Sequence, residues 1–98
     1  MVQGQKVYST NCAACHGVTG AGVPGAFPAM AGSPITTKTE NMAAHIDIII
    51  NGKSGTAMQA FGKQLSDSDI AAVVTYERNA FGNNTNEIVQ PATIKSAR

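Results

Sequence analysis

Residues 12–16 read Cys-Ala-Ala-Cys-His and hold both cysteines of the chain. On a helical turn Cys12 and Cys15, three apart, project from one face, and His16, four on from Cys12, points the same way. Two thiols and an imidazole at this spacing suit one flat macrocycle. Each thiol can form a thioether with a vinyl group at the ring edge, and the imidazole can bind the central metal. C-x-x-C-H is the attachment signature of a c-type haem. A chain that closes around such a group is constrained from residue 12 onward.

The other readings of a C-x-x-C pair fit less well. A thioredoxin-like dithiol follows a strand in a βαβ context, whereas residues 2–11 read as helix and no strand pattern precedes the motif. A structural zinc site takes four Cys or His ligands. This chain has two of each, and His45 lies far from the motif in sequence.

Length bounds the answer to one domain over residues 1–98. With two Tyr, three Phe and no Trp, the chain has a modest core of its own, so an interior haem would add much apolar contact. Seven Lys plus Arg against six Asp plus Glu give a net charge of +1. That balance excludes a polybasic nucleic-acid surface and gives no electrostatic case for membrane contact. No run of 18 apolar residues occurs, and no signal-peptide pattern is present. Thioether attachment in c-type cytochromes implies export. An export signal or membrane anchor is therefore expected in the natural precursor, with Met1 an expression start on an excised domain or mature fragment.

The pattern predicts three main helices and two loops. A first helix over residues 2–14 delivers the haem motif, and Gly17 stops it. Residues 17–34 are rich in Gly, Pro and Ala. A loop that long without secondary structure is expected to wrap something. Thr37 with Glu40 reads as a capping box for a second helix ending at Asn51-Gly52, with Met42, Ile46, Ile49 and Ile50 as its apolar stripe. A second loop covers residues 52–64. Ser66 with Asp69 caps a third helix to about Ala80, whose acids face the positive end of its dipole. The tail over residues 83–98 is polar and is expected to lie along the surface or fray.

The identity of a second axial ligand would set the chemistry of the iron. Candidates are Met30, Met42, Met58 and His45. Met42 sits on an apolar helical stripe, where Met is ordinarily core. His45 lies mid-helix and reads as a partly exposed or satisfied histidine. Met30 follows Phe27-Pro28 in the first loop, where packing on the haem suits it better. Met58, in the second loop before Ala60-Phe61, is the favoured ligand among them.

Taken together, residues 2–82 resemble a class I cytochrome c, which implies an all-α fold of three main helices and haem-wrapping loops. The resemblance rests on Gly4 and Tyr8 in the first helix, Cys12 to His16, Pro28, Met58 and Tyr76. It implies that Gly4 and Tyr8 cross Tyr76 on the last helix. It also implies that the Pro28 carbonyl accepts the His16 ring N–H, fixing the tautomer, that Met30 packs on the haem, and that Met58 is the sixth ligand. The family often has Met-Pro-Ala-Phe at that Met; here Met58-Gln59-Ala60-Phe61 lacks the Pro.

Further stretches carry a closer resemblance: Asn51-Gly52-Lys53-Ser54-Gly55-Thr56-Ala57-Met58, Tyr76-Glu77-Arg78-Asn79-Ala80-Phe81-Gly82-Asn83-Asn84-Thr85, and Val89-Gln90-Pro91. They are similar to the cytochrome c domain fused to subunit II of bacterial caa-type oxidases. That resemblance implies a domain held on the periplasmic side of the inner membrane. It would take electrons from a donor such as a soluble cytochrome c and pass them to the dinuclear copper domain of subunit II. The docking patch is expected at the haem edge near Val23, Ala26, Ala57 and Ala60, with Lys53 and Lys63 adding charge. No acid, base or nucleophile is assigned. A free-standing periplasmic carrier is the alternative, and a haem peroxidase or gas-binding sensor a more distant one.

Overall fold

The computed structural model describes the chain except for residues 1, 18, 23–28, 54 and 57 and the side chains of Ala14 and Cys15. Among the described residues the secondary structure is entirely helical: α1 (Val2–Asn11), α2 (Ala13–His16), α3 (Pro34–Thr37), a 3-10 turn (Thr39–Asn41), α4 (Met42–Asn51), α5 (Asp67–Asn79) and α6 (Pro91–Ala97). The three long helices are α1, α4 and α5, as the sequence predicts. None is long and apolar enough to cross a membrane.

The starting point of the packing is Gly4, which is buried on α1 against α5. A Cβ there would stand 2.2 Å from the Ala72 carbonyl oxygen and 2.7 Å from the Tyr76 Cβ. The two backbones therefore touch directly. One turn on, Tyr8 is 1% exposed and packs against Tyr76 and Phe81, with ring centroids 5.7 and 5.1 Å away. Tilted ring pairs at such distances are favourable beyond their burial.

The core is the apolar stripe of α5 (Ile70, Ala71, Val73, Val74) meeting Val7 of α1 and Ile46, Ile49 and Ile50 of α4. Ser66 caps α5 by accepting from the Asp69 N–H, which the sequence anticipated. The start of the second helix differs from expectation. Thr37 ends α3 rather than capping α4, and the chain passes through the 3-10 turn before α4 begins at Met42. The working cap is Ser33, whose hydroxyl accepts from the Ile35 N–H with Pro34 at the first helical position. The first helix also breaks sooner than predicted, at Cys12, although the Cys12 N–H still reaches the Tyr8 carbonyl at 2.8 Å.

The C-terminal tail departs most from the sequence reading. It neither frays nor merely lies along the surface, but forms α6, which packs on α5 and α4. Ile94 is fully buried and Val89 nearly so. Side chains of α5 hold the connecting segment. Asn79 donates to the Glu87 carbonyl and accepts from the Asn86 N–H, and the Thr75 hydroxyl accepts from the Val89 N–H. Arg98 closes the end with hydrogen bonds to Asp67 and to the Gly62 and Leu65 carbonyls. One apolar residue with a place to go outweighs a polar neighbourhood.

Replacing Gly4 with Ala forces α1 off α5 and is expected to cost about 1–3 kcal/mol, the range for overpacking a filled core. Ile94→Ala is expected to cost about 2–5 kcal/mol through its cavity. Denaturant unfolding of the holoprotein measures both; an Ile94→Ala protein as stable as wild type would mean that α6 is not part of the core.

Candidate functional site

The Cys12–His16 motif emerges where α1 hands over to α2. The His16 N–H donates to the Cys12 carbonyl at 3.0 Å, so the two residues sit one turn apart. His16 is 8% exposed, which shields an imidazole donor from water. Gly17 ends α2 at φ +82°, and its carbonyl accepts the Tyr8 hydroxyl at 2.7 Å. Burial, and after it the Glu77 carboxylate, pushes the Tyr8 phenol well above its ordinary value of 10. Tyr8 stays neutral and remains a donor at that carbonyl.

Both ends of the first loop are tied down near His16. The Gly22 N–H donates to the His16 carbonyl at 2.8 Å, and the Met30 and Ala31 N–H groups donate to the Gly20 carbonyl at 2.7 and 3.0 Å. Gly20 lies flat against Phe81, where a Cβ would fall 2.7 Å from the ring. Met30 is half-buried against the core. Pro28, Val23, Ala26 and Ala57 lie outside the described residues, as does the side chain of Cys15.

Met58 is half-buried and packs against the same apolar core as Cys12, Met30 and Met42. Its loop is clipped to the end of α4. The Lys53 N–H donates to the Met58 carbonyl at 3.1 Å, the Thr56 hydroxyl accepts from the Met58 N–H, and Phe61 and Gly62 N–H groups donate to the Ile49 and Ile50 carbonyls. Gly52, at φ +73°, permits this approach, since a Cβ there would meet the Met58 carbonyl at 2.7 Å. Backbone hydrogen bonds thus restrain the loop that lacks the family's Pro. Ala60, Lys53 and Lys63 are exposed.

His45 is buried, more deeply than a partly exposed residue would be, and it is satisfied. Its Nε2 lies 2.6 Å from Glu77 Oε1 and its Nδ1 lies 3.3 Å from an Arg78 Nη1. Arg78 can only donate, so Nδ1 accepts and the Nε2–H donates to Glu77. That network takes His45 out of the ligand candidates. Arg78, fully buried, also donates to the Ile35 and Lys38 carbonyls and to Glu87. Asn83 joins the first loop to α5. It donates to the Met30 and Glu77 carbonyls and accepts from the Gly32 N–H. Sequence reasoning gave neither residue a role. Ile70, Val74 and Arg78 follow one another at four-residue spacing, which puts Arg78 in phase with the apolar stripe and marks it as buried.

The donor set fits a covalent haem. A shielded imidazole and a thiol lie one turn apart, the thiol against the apolar core, and the Met58 thioether packs on the same core.

Comparisons with known proteins point to c-type cytochromes. A family model described as cytochrome C oxidase, cbb3-type, subunit III matches residues 1–76. The alcohol dehydrogenase (quinone) cytochrome c subunit of Gluconobacter oxydans (strain 621H) is 36% identical over 97% of this chain, which spans 22% of that protein's length. Cytochrome c-552 of Thermus thermophilus is 35% identical over 82% of this chain and 69% of its own. The solved c-type cytochrome NirC superposes with a TM-score of 0.61, at 21% identity, over 91% of this chain and 93% of its own.

Two measurements check the polar groups around the site. Tyr8→Phe removes one hydrogen bond from a carbonyl that keeps the Gly20 N–H, for an expected loss of about 1 kcal/mol in a denaturant titration. Hydrogen bonds from Thr39 and then Arg78 hold the Glu87 carboxyl below its ordinary 4.5. In acid the unfolded chain takes up this proton first. Stability is therefore expected to fall as pH drops below about 4.5 toward the folded-state value. Thermal melts from pH 6 to 3 should show a shallower fall in Glu87→Gln.

Proposed function

This chain belongs to the c-type cytochromes of the cbb3-type oxidase subunit III family, and on that premise we propose that it is a tethered electron-relay domain of a membrane-bound respiratory complex. It has the class I cytochrome c fold, carries a covalently bound c-type haem and transfers electrons through it. The observation that supports the relay reading is that both candidate donors are held by the fold. A buried His16 stands on one element and Met58 is clipped in place on another.

In this reading Cys12 and Cys15 hold the thioethers, His16 and Met58 are the two axial ligands, Pro28 accepts the His16 ring N–H, and Met30 packs on the ring. The haem supplies one-electron exchange between ferric and ferrous iron, and thioether ligation raises its potential. The chain's own work is to hold both donors through that exchange. The hydrogen bonds at Gly20, Gly22 and Met30 and at Gly52, Lys53 and Met58 limit how far either donor can shift, and the apolar border disfavours the extra charge of the oxidised state. With His16 and Met58 both bound to it, the iron would keep no position for a substrate, and on this reading the domain would serve as a carrier rather than an enzyme.

The partner we assign is the dinuclear copper domain of an oxidase subunit II on the periplasmic side, with a soluble cytochrome c as donor. Support comes from the resemblance of the Tyr76 to Thr85 and Val89 to Pro91 stretches. Tethering replaces long-range steering with effective concentration, which suits a net charge of +1. A second reading has its own observation. The match to a quinone alcohol dehydrogenase cytochrome c subunit over 97% of this chain favours relay from a dehydrogenase within a multi-subunit complex.

The ferric wild type is expected to be low-spin with a sulfur-to-iron charge-transfer band, and Met58→Ala is expected to lose that band and lower the midpoint potential. A high-spin wild type would rule out closed His/Met ligation. Stopped-flow mixing of the reduced domain with a purified dinuclear-copper domain tests the partner. Rapid oxidation supports the oxidase assignment, and none, alongside fast reduction by a quinone-linked alcohol dehydrogenase, selects the second reading.

A further inference from the structure

The turn that follows α5 carries an unusual backbone. Phe81, Asn84 and Asn86 all have positive φ, at 58°, 47° and 62°, and Gly82 lies at 80°. For a bulky residue such as Phe81 this region is disfavoured and persists only where surrounding contacts impose it. Here the contacts are with the loop that descends from His16. The Phe81 ring lies on the Gly20 backbone, and Asn83 grips the far end of the same loop.

The grip of Asn83 is complete. Its Nδ2 donates to the Glu77 carbonyl at 2.7 Å and the Met30 carbonyl at 3.0 Å and lies 3.3 Å from the Thr36 hydroxyl; its Oδ1 accepts from the Gly32 N–H at 2.7 Å. Thr36, fully buried, donates to the same Met30 carbonyl at 2.6 Å. From Met30 the links run inward. Met30 and Ala31 N–H groups bind the Gly20 carbonyl, the Gly20 N–H binds the Gly17 carbonyl, and the Gly22 N–H binds the His16 carbonyl. The path from Asn83 to His16 is thus made of hydrogen bonds and a few peptide units.

We propose that Asn83 is a positioning residue for the His16 imidazole, acting through the loop ends at Gly20–Gly22 and Met30–Gly32. The proposal rests on the reading of His16 as an axial ligand. Asn83 lies in the turn after α5 and is tied to that helix through the Glu77 carbonyl, and α1 contacts α5 at Gly4, so the helix that delivers His16 and the turn that braces its loop are held by the same element. Asn79 provides the contrast. It lies four residues before Asn83 and also ties side chain to backbone, at Thr75, Asn86 and Glu87, but among the described residues its side chain makes no hydrogen bond to the His16 loop.

The test compares Asn83→Ala, Asn83→Asp and Asn79→Ala holoproteins by proton NMR. In the ferric state the four haem-methyl shifts report the orientation of the axial ligand planes. In the ferrous state the Met58 methyl resonance reports the distal side. Asn83→Ala is expected to redistribute the haem-methyl shifts while leaving the Met58 methyl in place. Asn83→Asp, which keeps the acceptor for Gly32 and loses both donors, is expected to move them in the same direction by less. It decides the matter should the Ala variant not fold. Asn79→Ala is expected to lower the melting temperature with the wild-type shift pattern intact. Unchanged haem-methyl shifts in both Asn83 variants, or the same redistribution in Asn79→Ala, would overturn the proposal and leave Asn83 as a helix cap. A wild type lacking the sulfur-to-iron band would instead overturn the ligation on which the proposal rests, so the two failures are separable.

Discussion

Contact between the backbones of α1 and α5 at Gly4 is the constraint from which the rest follows. With no side chain between them the two helices meet at the distance of the Ala72 carbonyl, closer than any larger residue allows. A helix is stiff over two turns, so this contact dictates where α1 ends and hence where Cys12 and His16 emerge. It also brings Tyr8, Tyr76 and Phe81 into one ring cluster and stations the Tyr8 hydroxyl at the Gly17 carbonyl. A core cavity elsewhere would weaken the domain. A shift at Gly4 would move the motif relative to the loops that complete the site.

The second organising element is polar. Arg78 is fully buried, and such a charge is costly unless its donors are occupied. They are, by Glu87, His45 and two carbonyls from the segment between the first loop and α4. Among the described residues no buried side-chain nitrogen or oxygen lacks a partner. A satisfied network of this kind selects one arrangement of otherwise irregular chain. In a small domain with few aromatic side chains, apolar burial alone has limited means to do so. Asn83 does for the first loop what Arg78 does for residues 35–38.

How much was legible in the sequence can be seen residue by residue. Ser66 announced α5 because its cap acts within one turn of its own position. The stripes of α4 and α5 were visible because a helix repeats its facing positions at fixed intervals. Thr37 misled because a capping box is a weak local signal. Ser33-Pro34, just upstream, satisfies the same need with a residue whose φ is already set. Ile94 was passed over because one apolar residue in a polar tail has no period. It is buried because α5 and α4 leave room for it. His45 was foreseen as partly exposed or satisfied, but not that it would be buried with Glu77 and Arg78 satisfying it from a helix 32 and 33 residues away.

The sequence by itself determined the local chemistry: two thiols and an imidazole at helical spacing, a thioether in a short loop, and caps and stripes that make the fold all-α. These follow from geometry that is intrinsic to a few consecutive residues. Only the tertiary structure decided which backbone groups Arg78 and Asn83 would hold. Those partners lie 40, 43, 51 and 53 residues away in the chain. Nothing in the neighbourhood of a donor says which distant carbonyl will be brought to it. That is settled when α1, α4 and α5 bury their apolar faces together, and the Cys12–His16 motif acquires its braced surroundings in the same step.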